Sequence, residues 1–580
     1  MKKIKYLPLM LSLIIIINLL IPNTYANGEI IFKVQAVASE SMNGKTCTQI
    51  GMIANDASKD SLNYSLLCKE LNSGTKILVD NKYYISGSIN AKVISKNILM
   101  DGTTDNAEFC FTNTTGEEFL FNVQAKEVIV QNIRFTQKNN GYVFIFNIQN
   151  TQKLDNFITE HCYFEGNIRL LTWRQNTGSK VQFIDPTVSD FGITHFVFNN
   201  NTCRNLKEQF KGFIYLDDVP IAHAELIGND IKNFVYAFYT QGITNENPYN
   251  SVISEKMEYL EVRDNTVTCD NDWDGAPPSP ELYHCFIFFE GNKCDYLNNH
   301  VEGLHVINRA TVVYDAYLSC WDLDYENNYW KNNISFSATK SNAELMKSKS
   351  ATKKGYNGIN RLYKNNTYIV EKSYADIFKR PYDELWVSLS YYQHEMDTVV
   401  VDNNTFDVYK LAMPYGQPIH NYTFSNNTIH AYTVNEKFNN CILPAYRLDN
   451  PSPTDTYIAR DNNIVIETPA PYSEQQNSLI MAVGKKNEVK TAKIIFENNY
   501  IEWPDLKAVI SSPLGINLNV TSANITNNTV IATRPGSKVG KTLYTGLYIL
   551  CDKLTLEDTS IQIPENEGYS IQTAPYIRKS

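Results

Sequence analysis

A polar loop at residues 269–285 carries the residues whose spacing most closely matches a metal site. Five residues fit the calcium-loop pattern D-x-D-x-D-G-x5-E at every specified position: Asp270, Asp272, Asp274, Gly275 and Glu281. Alternating carboxylates around a turn-forming glycine can enclose one hard cation, and the final glutamate can close its coordination shell. The flanking sequence is typical of strands, which excludes the helix pair of an EF-hand, and three prolines interrupt the second half of the loop. We therefore predict that the loop binds Ca²⁺, with an acidic surface loop as the alternative.

A second set of charged residues interrupts a series of apolar segments that alternate as β-strands do. Its members are Arg174, Asp217, Asp218, Glu290, Asp315, His394 and Arg447, accompanied by Tyr239, Tyr317 and Tyr392. A charge inside an apolar core costs several kcal/mol unless it is paired, so these residues should face outward. If the strands stack in order, the charges collect in one stripe. A solvated face with ion pairs between neighbouring strands is the alternative interpretation.

Aromatic rings, carboxylates and guanidinium groups in one stripe suit a groove that binds saccharides. β-Elimination from a uronate needs a cation or an arginine to neutralise the uronate carboxylate, and a base to remove the neighbouring proton. Arg174, Arg447 or His394 could serve in that reaction. Asp217 and Asp218 would instead suit hydrolysis by a pair of carboxyl groups.

The elements that would position these residues are defined by a repeat centred on asparagine. The pattern is apolar-x-apolar-x-x-Asn-x-apolar, and successive copies are 23 to 39 residues apart. The asparagines are Asn201, Asn229, Asn265, Asn299, Asn328, Asn366, Asn404, Asn427, Asn462, Asn499 and Asn528, while two upstream copies have Ile133 and Cys162 in that position. Each unit predicts a strand, a tight corner and a second strand. Asparagine suits the corner because it tolerates the left-handed backbone conformation and hydrogen-bonds locally.

Stacking of these units predicts an all-β fold, a right-handed single-stranded parallel β-helix of about 12–13 coils. The corner asparagines of successive coils would then hydrogen-bond to one another as a ladder. The signatures of a β-propeller and of a leucine-rich repeat are missing. Several corners also form Asn-Asn-Thr, an N-glycosylation acceptor. The acceptor is the first asparagine and the ladder residue is the second, so the two interpretations are compatible.

The open end of such a stack needs a cover, because exposed strand edges pair with other chains. A helix is predicted over 60–71, with Leu62, Leu66, Leu67 and Leu71 on one face, and 74–89 supplies the first strands. We therefore predict an N-terminal entry segment and cap over 27–90 and a β-helix with loop insertions over 91–580.

The segment 50–89, IGMIANDASKDSLNYSLLCKELNSGTKILVDNKYYISGSI, resembles the entry segment of the pectate-lyase-like superfamily of parallel β-helices. That superfamily includes pectate lyases, polygalacturonases and phage tailspikes, and the resemblance in repeat pattern extends over nearly the whole chain after residue 26. The chain lacks the Asn-Thr-Asp, Gly-His-Gly and Arg-Ile-Lys motifs of polygalacturonases and the Trp-Ile-Asp-His motif of pectate lyases. The resemblance therefore implies the fold and a carbohydrate ligand, and it assigns no catalytic residue.

Residues 1–26 have the features of a secretory signal peptide: Lys2, Lys3 and Lys5, then an apolar run, then a small residue at Ala26. A signal anchor is the alternative. No later segment approaches the roughly 20 apolar residues of a membrane span, so we expect the mature chain to be secreted or to lie in the cell envelope, without a span. Export permits disulfides, and among the eleven cysteines we predict a Cys269–Cys285 bridge across the acidic loop.

The formal net charge of −10 argues against nonspecific binding of nucleic acid, which needs a basic face. The expected partner is a polysaccharide or a cell-surface glycan. One functional hypothesis is an exported enzyme that binds and cleaves an extracellular polysaccharide, as a lyase or a glycosidase. The other is a non-catalytic surface adhesin or glycan-binding structural protein.

Overall fold

A computed structural model of the chain describes residues 44–87, 91–113, 117–139, 141–148, 153–174, 192–206, 212–217, 219, 221–241, 257–270, 272–273, 283–304, 312–333, 352–353, 356–357, 360–373, 396–411, 419–434, 441–446, 455–468, 479–484, 493–504, 508–511, 520–532 and 551–562. The chain divides into two compact units, Met1–Asn43 and Gly44–Ser580, and every described residue belongs to the second.

Three long parallel sheets account for most of the described residues. The first sheet consists of Lys45–Thr46, Ile77–Val79, Ile98–Gly102, Glu127–Gln131, Lys153–Glu160, Gly192–Asn199, Ile221–Ile227, Met257–Arg263, Lys293–Leu297, Asp322–Glu326, Asn360–Lys364, Met396–Asp402, Ile419–Ser425, Thr456–Arg460, Lys493–Glu497, Val520–Thr526 and Cys551–Glu557. The second consists of Lys82–Ile85, Glu108–Phe111, Arg134–Gln137, Tyr163–Glu165, Thr202–Leu206, Asp230–Phe234, Thr266–Thr268, His300–Glu302, Tyr329–Lys331, Thr367–Val370, Thr405–Leu411, Thr428–Val434, Asn463–Ile466, Tyr500–Trp503, Thr529–Ala532 and Ser560–Gln562. The third consists of Lys92–Ile94, Glu117–Val123, Tyr142–Ile148, Ile168–Arg174, Ile214–Asp217, Tyr236–Gln241, Tyr283–Glu290 and Val312–Ser319.

The remaining elements are short. A three-stranded parallel sheet contains Cys441–Tyr446, Leu479–Gly484 and Ala508–Ser511, and Thr352–Lys353 pairs antiparallel with Tyr356–Asn357. A 3₁₀ turn, Ala57–Lys59, leads into the α-helix Asp60–Asn72.

Each coil contains a first-sheet strand followed by a second-sheet strand, and strands of successive coils pair in parallel within each sheet. This is the predicted right-handed parallel β-helix. Within the described residues there are sixteen such strand pairs, whereas the asparagine pattern finds thirteen. The other three corners carry different residues; in the last of them the Thr559 hydroxyl accepts a hydrogen bond from Asn528 Nδ2 at 3.4 Å.

The core forms because alternate residues of each strand point inward. In the first-sheet strand Lys293–Leu297, Cys294 and Tyr296 are fully buried in the core cluster, whereas Asp295 between them points to the outer face. The same alternation aligns aromatic rings of successive coils inside the stack: the Tyr296 and Tyr325 ring centroids are 4.7 Å apart, with an interplanar angle of 2°. Burial of these side chains supplies the main stabilisation of the coils.

The predicted asparagine ladder is present at the corner between the first and second sheets. Asn366 donates from Nδ2 to the Tyr325 carbonyl and to Asn404 Oδ1, both at 2.9 Å. Its Oδ1 accepts from the backbone N–H of Asn328 at 2.9 Å and from Asn328 Nδ2 at 3.0 Å. The preceding residue, Asn365, has φ +56°, the left-handed conformation expected at this corner. Each ladder asparagine thus satisfies buried polar groups of the coils beside it.

The helix Asp60–Asn72 forms as predicted, but the predicted apolar face is partly wrong. Leu67 and Leu71 are fully buried, while Leu62 is 45% exposed. Tyr64 takes part in the packed face instead, and its hydroxyl donates to the Leu120 carbonyl at 2.7 Å. A tyrosine can lie there because its hydroxyl finds a partner at the end of the stack.

The predicted Cys269–Cys285 disulfide is wrong. Cys269 follows the second-sheet strand Thr266–Thr268, while Cys285 lies in the third-sheet strand Tyr283–Glu290, and both are buried thiols. Cys285 Sγ donates to the Ile287 carbonyl at 2.9 Å.

Within the part of the chain that the structure describes, no helix is long and apolar enough to span a bilayer.

Candidate functional site

Four acidic residues lie in register on the outer face of the first sheet. On consecutive strands, backbone pairing places Glu225 opposite Glu261, Glu261 opposite Asp295, and Asp295 opposite Asp324. In that order along the sheet, the four side chains are 15%, 22%, 16% and 39% exposed. Like charges directly opposite each other on neighbouring strands are destabilising. This acidic column therefore requires protons, cations or hydrogen-bond donors to be stable.

The acidic column can be recognised in the sequence, although none of its residues belongs to the predicted charged stripe. Each acid precedes a ladder asparagine by four residues, in the pairs Glu225–Asn229, Glu261–Asn265, Asp295–Asn299 and Asp324–Asn328. Aligning the repeats on the asparagine therefore reveals an acidic residue at one fixed position in four consecutive coils. The predicted stripe follows strands of the third sheet, which do not contain these residues.

Tyr259 and Lys293 both contact the carboxylate of Asp295. The Tyr259 hydroxyl donates to Asp295 Oδ2 at 2.5 Å. Lys293 Nζ lies 3.3 Å from Asp295 Oδ1, as an ion pair rather than an aligned hydrogen bond, and 3.7 Å from Asp324 Oδ2. Asp295 is thus fixed by groups on its own strand and on the preceding one, which gives its carboxylate a defined orientation.

Asp324 holds its proton more tightly than an ordinary aspartate. Partial burial, together with the negative charge of Asp295 and a hydrogen bond to that residue, raises the pKa of Asp324 to about 6, although Lys293 acts in the opposite direction. A carboxyl group with such a pKa can donate a proton near neutral pH. Asp295 and Asp324 therefore combine a positioned carboxylate with a neighbouring acid.

At the other end of the column, His223 and Arg263 hold the two glutamates. His223 Nε2 lies 3.0 Å from Glu225 Oε1, and Arg263 Nε donates to Glu261 Oε1 at 2.5 Å. Burial raises the pKa of Glu225, but the hydrogen bonds from His223 and Asn199 outweigh it, so the pKa lies below its ordinary value. His195 is opposite His223 in the sheet, and burial followed by repulsion from His223 lowers its pKa.

The predicted charged stripe is placed only in part. Arg174 and Asp217 are directly opposite each other at the ends of neighbouring third-sheet strands. Glu290 ends a later strand of that sheet, opposite Ser319, and Asp315 lies within the last one. The structure describes the backbone of these four residues but not their side chains. The other predicted members, Asp218, His394 and Arg447, lie outside the described residues.

The outer face of the third sheet carries a column of aromatic rings. Tyr215 and Tyr239 have ring centroids 5.3 Å apart, and Tyr239 and Phe288 have centroids 4.9 Å apart. Arg169 lies over Tyr215, 5.4 Å from the ring centre. These rings are at most 8% exposed, so Tyr239 is covered in this state and does not offer a free face to a sugar. Tyr317 and Tyr392 have no described side chain.

The predicted calcium loop is described at Asp270 and Asp272, whereas Asp274 and Glu281 lie outside the described residues. Asp270 pairs with Lys232, whose Nζ is 2.8 Å from Oδ1, and accepts from Asn233 Nδ2 at 2.9 Å. These contacts, chiefly that with Lys232, hold the pKa of Asp270 below its ordinary value. Asp272 is exposed. A cation at the loop would have to share or displace the contacts of Asp270, and Ca²⁺ binding there remains a proposal.

Comparison with known proteins assigns the chain to no family. No family model matches the chain, and no curated protein matches it. Among solved structures it is similar to the Dettilon tailspike protein, with 12% sequence identity and a TM-score of 0.33, over 76% of this chain and 68% of that one. This likeness is too distant to inform the function of the chain.

Proposed function

We propose that the protein binds an extracellular polysaccharide on the outer face of the first sheet and hydrolyses its glycosidic bonds with Asp295 and Asp324. The observation that carries this proposal is the pairing of two carboxyl groups on neighbouring strands, one fixed by Tyr259 and Lys293 and the other able to carry a proton. Glycoside hydrolysis needs two such groups in different roles. The hypothesis that residues 1–26 are a secretory signal places this reaction outside the cell.

In the proposed reaction, Asp324 donates its proton to the glycosidic oxygen as the bond to the anomeric carbon breaks. Asp295 attacks that carbon and forms a glycosyl ester, and water then hydrolyses the ester while Asp324 takes up a proton. The sugar oxygen replaces Asp295 as the partner of the Asp324 proton when substrate binds. Because the anomeric carbon is attacked twice, first by Asp295 and then by water, we expect the products to retain the anomeric configuration.

The column also explains how substrate would be held near these groups. Lys293 supplies a cation that is one-third exposed, and the Tyr259 ring, which contacts His223 and Lys293, supports it beside the acids. Charge-assisted hydrogen bonds are a common means of binding the acidic substituents of sugars. This arrangement favours a polysaccharide that contains some negative charge, because the positive charge of Lys293 can be shared with it.

The test is incubation of the protein, from residue 27 onward, with a panel of neutral and uronate-containing polysaccharides. New reducing ends are measured by a colorimetric assay and unsaturated products by ultraviolet absorbance. We expect reducing ends without unsaturated products, and a loss of at least about 100-fold in kcat for Asp324→Asn, in the range of removing one acid–base catalyst. Activity should fall as the pH rises above about 6, because Asp324 loses its proton.

The matched control is Asp461→Asn. Asp461 is an exposed corner residue with φ +56°, at a position where other coils carry asparagine, so the same chemical change there should leave activity intact. Unsaturated products would show that the protein cleaves by β-elimination and not by hydrolysis. Binding to a glycan array without any product on the whole panel would instead support the adhesin hypothesis, and equal activity of Asp324→Asn and wild type would remove Asp324 from the mechanism.

A further inference from the structure

His223, Glu225 and Glu261 form a cluster that the proposed hydrolysis does not use. One nitrogen of the imidazole and one oxygen of each carboxylate lie within 4.8 Å of one another. All three side chains point to the outer face of the first sheet and are only 14%, 15% and 22% exposed. The cluster is built by two neighbouring strands, since His223 and Glu225 share one strand and Glu261 is directly opposite Glu225 on the next.

We propose that His223, Glu225 and Glu261 bind a divalent first-row transition-metal ion, of which Zn²⁺ is the representative. An imidazole nitrogen with two carboxylate oxygens suits Zn²⁺, whereas Ca²⁺ and Mg²⁺ prefer oxygen ligands alone. Three protein ligands leave at least one coordination position for water or a ligand. The site is separate from the predicted calcium loop and does not depend on the hydrolase proposal.

The present distances are close to those that coordination requires. Two ligands that are each 2.0–2.1 Å from a tetrahedral Zn²⁺ lie roughly 3.3 Å apart. His223 Nε2 and Glu225 Oε1 are already 3.0 Å apart. One ligand atom of Glu261 lies within 4.8 Å of ligand atoms of His223 and Glu225, and rotation of its side chain can close the remaining gap.

Neighbouring side chains hold the two carboxylates as a second shell holds metal ligands. Asn199 Nδ2 donates to Glu225 Oε2 at 3.2 Å, so the other oxygen of that carboxylate faces His223. Arg263 Nε donates to Glu261 Oε1 at 2.5 Å. Such contacts orient ligating carboxylates and tune their affinity.

Charge gives an independent reason to expect a cation here. Glu225 and Glu261 are directly opposite each other, and Asp295 follows on the next strand, so three acids face one another across adjacent strands. Arg263 forms ion pairs with Glu261 and with Asp264, so its positive charge is shared. A divalent ion between the two glutamates would relieve the repulsion that their pairing imposes.

The experiment is calorimetric titration of the chelator-treated protein with ZnCl₂, with CaCl₂ and MgCl₂ titrated in parallel. We expect one Zn²⁺ per chain and no competition by Ca²⁺ or Mg²⁺. His223→Gln and Glu261→Gln should each weaken Zn²⁺ binding at least 10-fold, and Asn199→Ala should weaken it less. Co²⁺ substitution gives a second readout, since its visible absorption reports coordination by nitrogen and oxygen and should disappear in Glu261→Gln.

The matched control is His300→Gln. His300 Nε2 lies 3.3 Å from Glu302 Oε2, so these two residues form the same His-x-Glu pair on a strand of the second sheet. The Glu302 carboxylate, however, pairs with Lys331 and not with a third acid. Zn²⁺ binding should be unchanged in this variant. Folding of every variant is checked by circular dichroism in EDTA, and Glu261→Gln carries the test if His223→Gln does not fold. Absence of stoichiometric Zn²⁺ uptake, or equal weakening by His300→Gln, would overturn the proposal.

Discussion

Replacing a single ladder asparagine by alanine should destabilise the stack strongly. Asn366 is 1% exposed and makes four hydrogen bonds through its side chain, two donated and two accepted. In Asn366→Ala the backbone N–H and one side-chain N–H of Asn328 and the carbonyl of Tyr325 all lose a partner inside the stack. At a net value of about 1 kcal/mol for each lost hydrogen bond, and more for buried groups left unpaired, the free energy of unfolding should fall by about 3–5 kcal/mol.

The loss should be local, because coils of a repeat protein contact mainly their neighbours. Hydrogen exchange of backbone amides is therefore a better assay than a single melting temperature. A loss of 3–5 kcal/mol corresponds to at least about a 100-fold faster exchange through local opening. The acceleration should be largest at the Asn328 amide, which loses its acceptor directly, and should decline over the following coils.

The matched control for this substitution is the neighbouring residue. Asn365 is half-buried and left-handed, and aspartate occupies the equivalent corner position at Asp264 and Asp461. Asn365→Asp removes one hydrogen bond, donated from Nδ2 to Asn327 Oδ1 at 3.0 Å, and at about 1 kcal/mol for that bond it should change exchange rates by less than about 10-fold. If Asn366→Ala and Asn365→Asp altered exchange equally, the ladder would not be a source of stability.

Three further predictions concern protonation, thiols and calcium. Because the folded pKa of Asp324 is raised from 3.8 to about 6, the free energy of unfolding should fall as the pH rises from about 4 to above 6, and Asp324→Asn should abolish this fall. The pKa shift corresponds to about 3 kcal/mol, which we reduce to about 1–2 kcal/mol because the side chain is 39% exposed. Urea unfolding between pH 4 and 8 measures the change. Nine of the eleven cysteines are described as buried thiols, so a thiol reagent should modify at most two cysteines in the native protein. After unfolding without reductant it should modify all eleven. Modification of only nine cysteines would show that the other two form a disulfide. If the acidic loop binds Ca²⁺ with a Kd in the roughly 0.1–1 mM range of weak extracellular sites, millimolar CaCl₂ should raise the melting temperature of the wild-type protein relative to EDTA. The melting temperature of Asp272→Ala should not change. An unchanged wild-type melting temperature would argue for an acidic surface loop.

The fold was predictable because its main signal is local and repeated. A left-handed corner followed by a buried polar residue imposes the same short sequence requirement on each coil, as at Asn365 and Asn366. Three coils whose corners do not fit the repeat pattern, such as the coil with Thr559, are missing from the predicted number of coils. The helix face was misassigned at Leu62 because periodicity alone does not show that Tyr64 can satisfy its hydroxyl inside the end of the stack.

The acidic column was harder to predict because its members are far apart in the sequence. Glu225 and Asp324 are separated by 99 residues, and only the stacking of four coils brings them into one column. The raised pKa of Asp324 also depends on Asp295 and Lys293, whose positions follow from strand register rather than from any motif. The disulfide prediction failed for the same reason, since closeness in sequence does not place Cys269 and Cys285 on the same sheet.

The boundaries of the acidic column argue that it is more than a solvated face. The equivalent positions on the strands just outside it are Val197, which is 4% exposed, and Leu362. The corresponding residues in the other described first-sheet strands from Ile98–Gly102 onward are also uncharged: Leu99, Ile129, Ile158, Val400, Thr423, Ile458, Ile495, Asn524 and Thr555. A face selected only for solubility would distribute acids along the stack and alternate them with bases, whereas here four acids occupy four consecutive strands, a distance of about 14 Å. Because each opposed pair of acids destabilises the sheet unless something compensates it, their confinement to one patch favours a function that uses them, by holding a metal ion at one end and transferring a proton at the other.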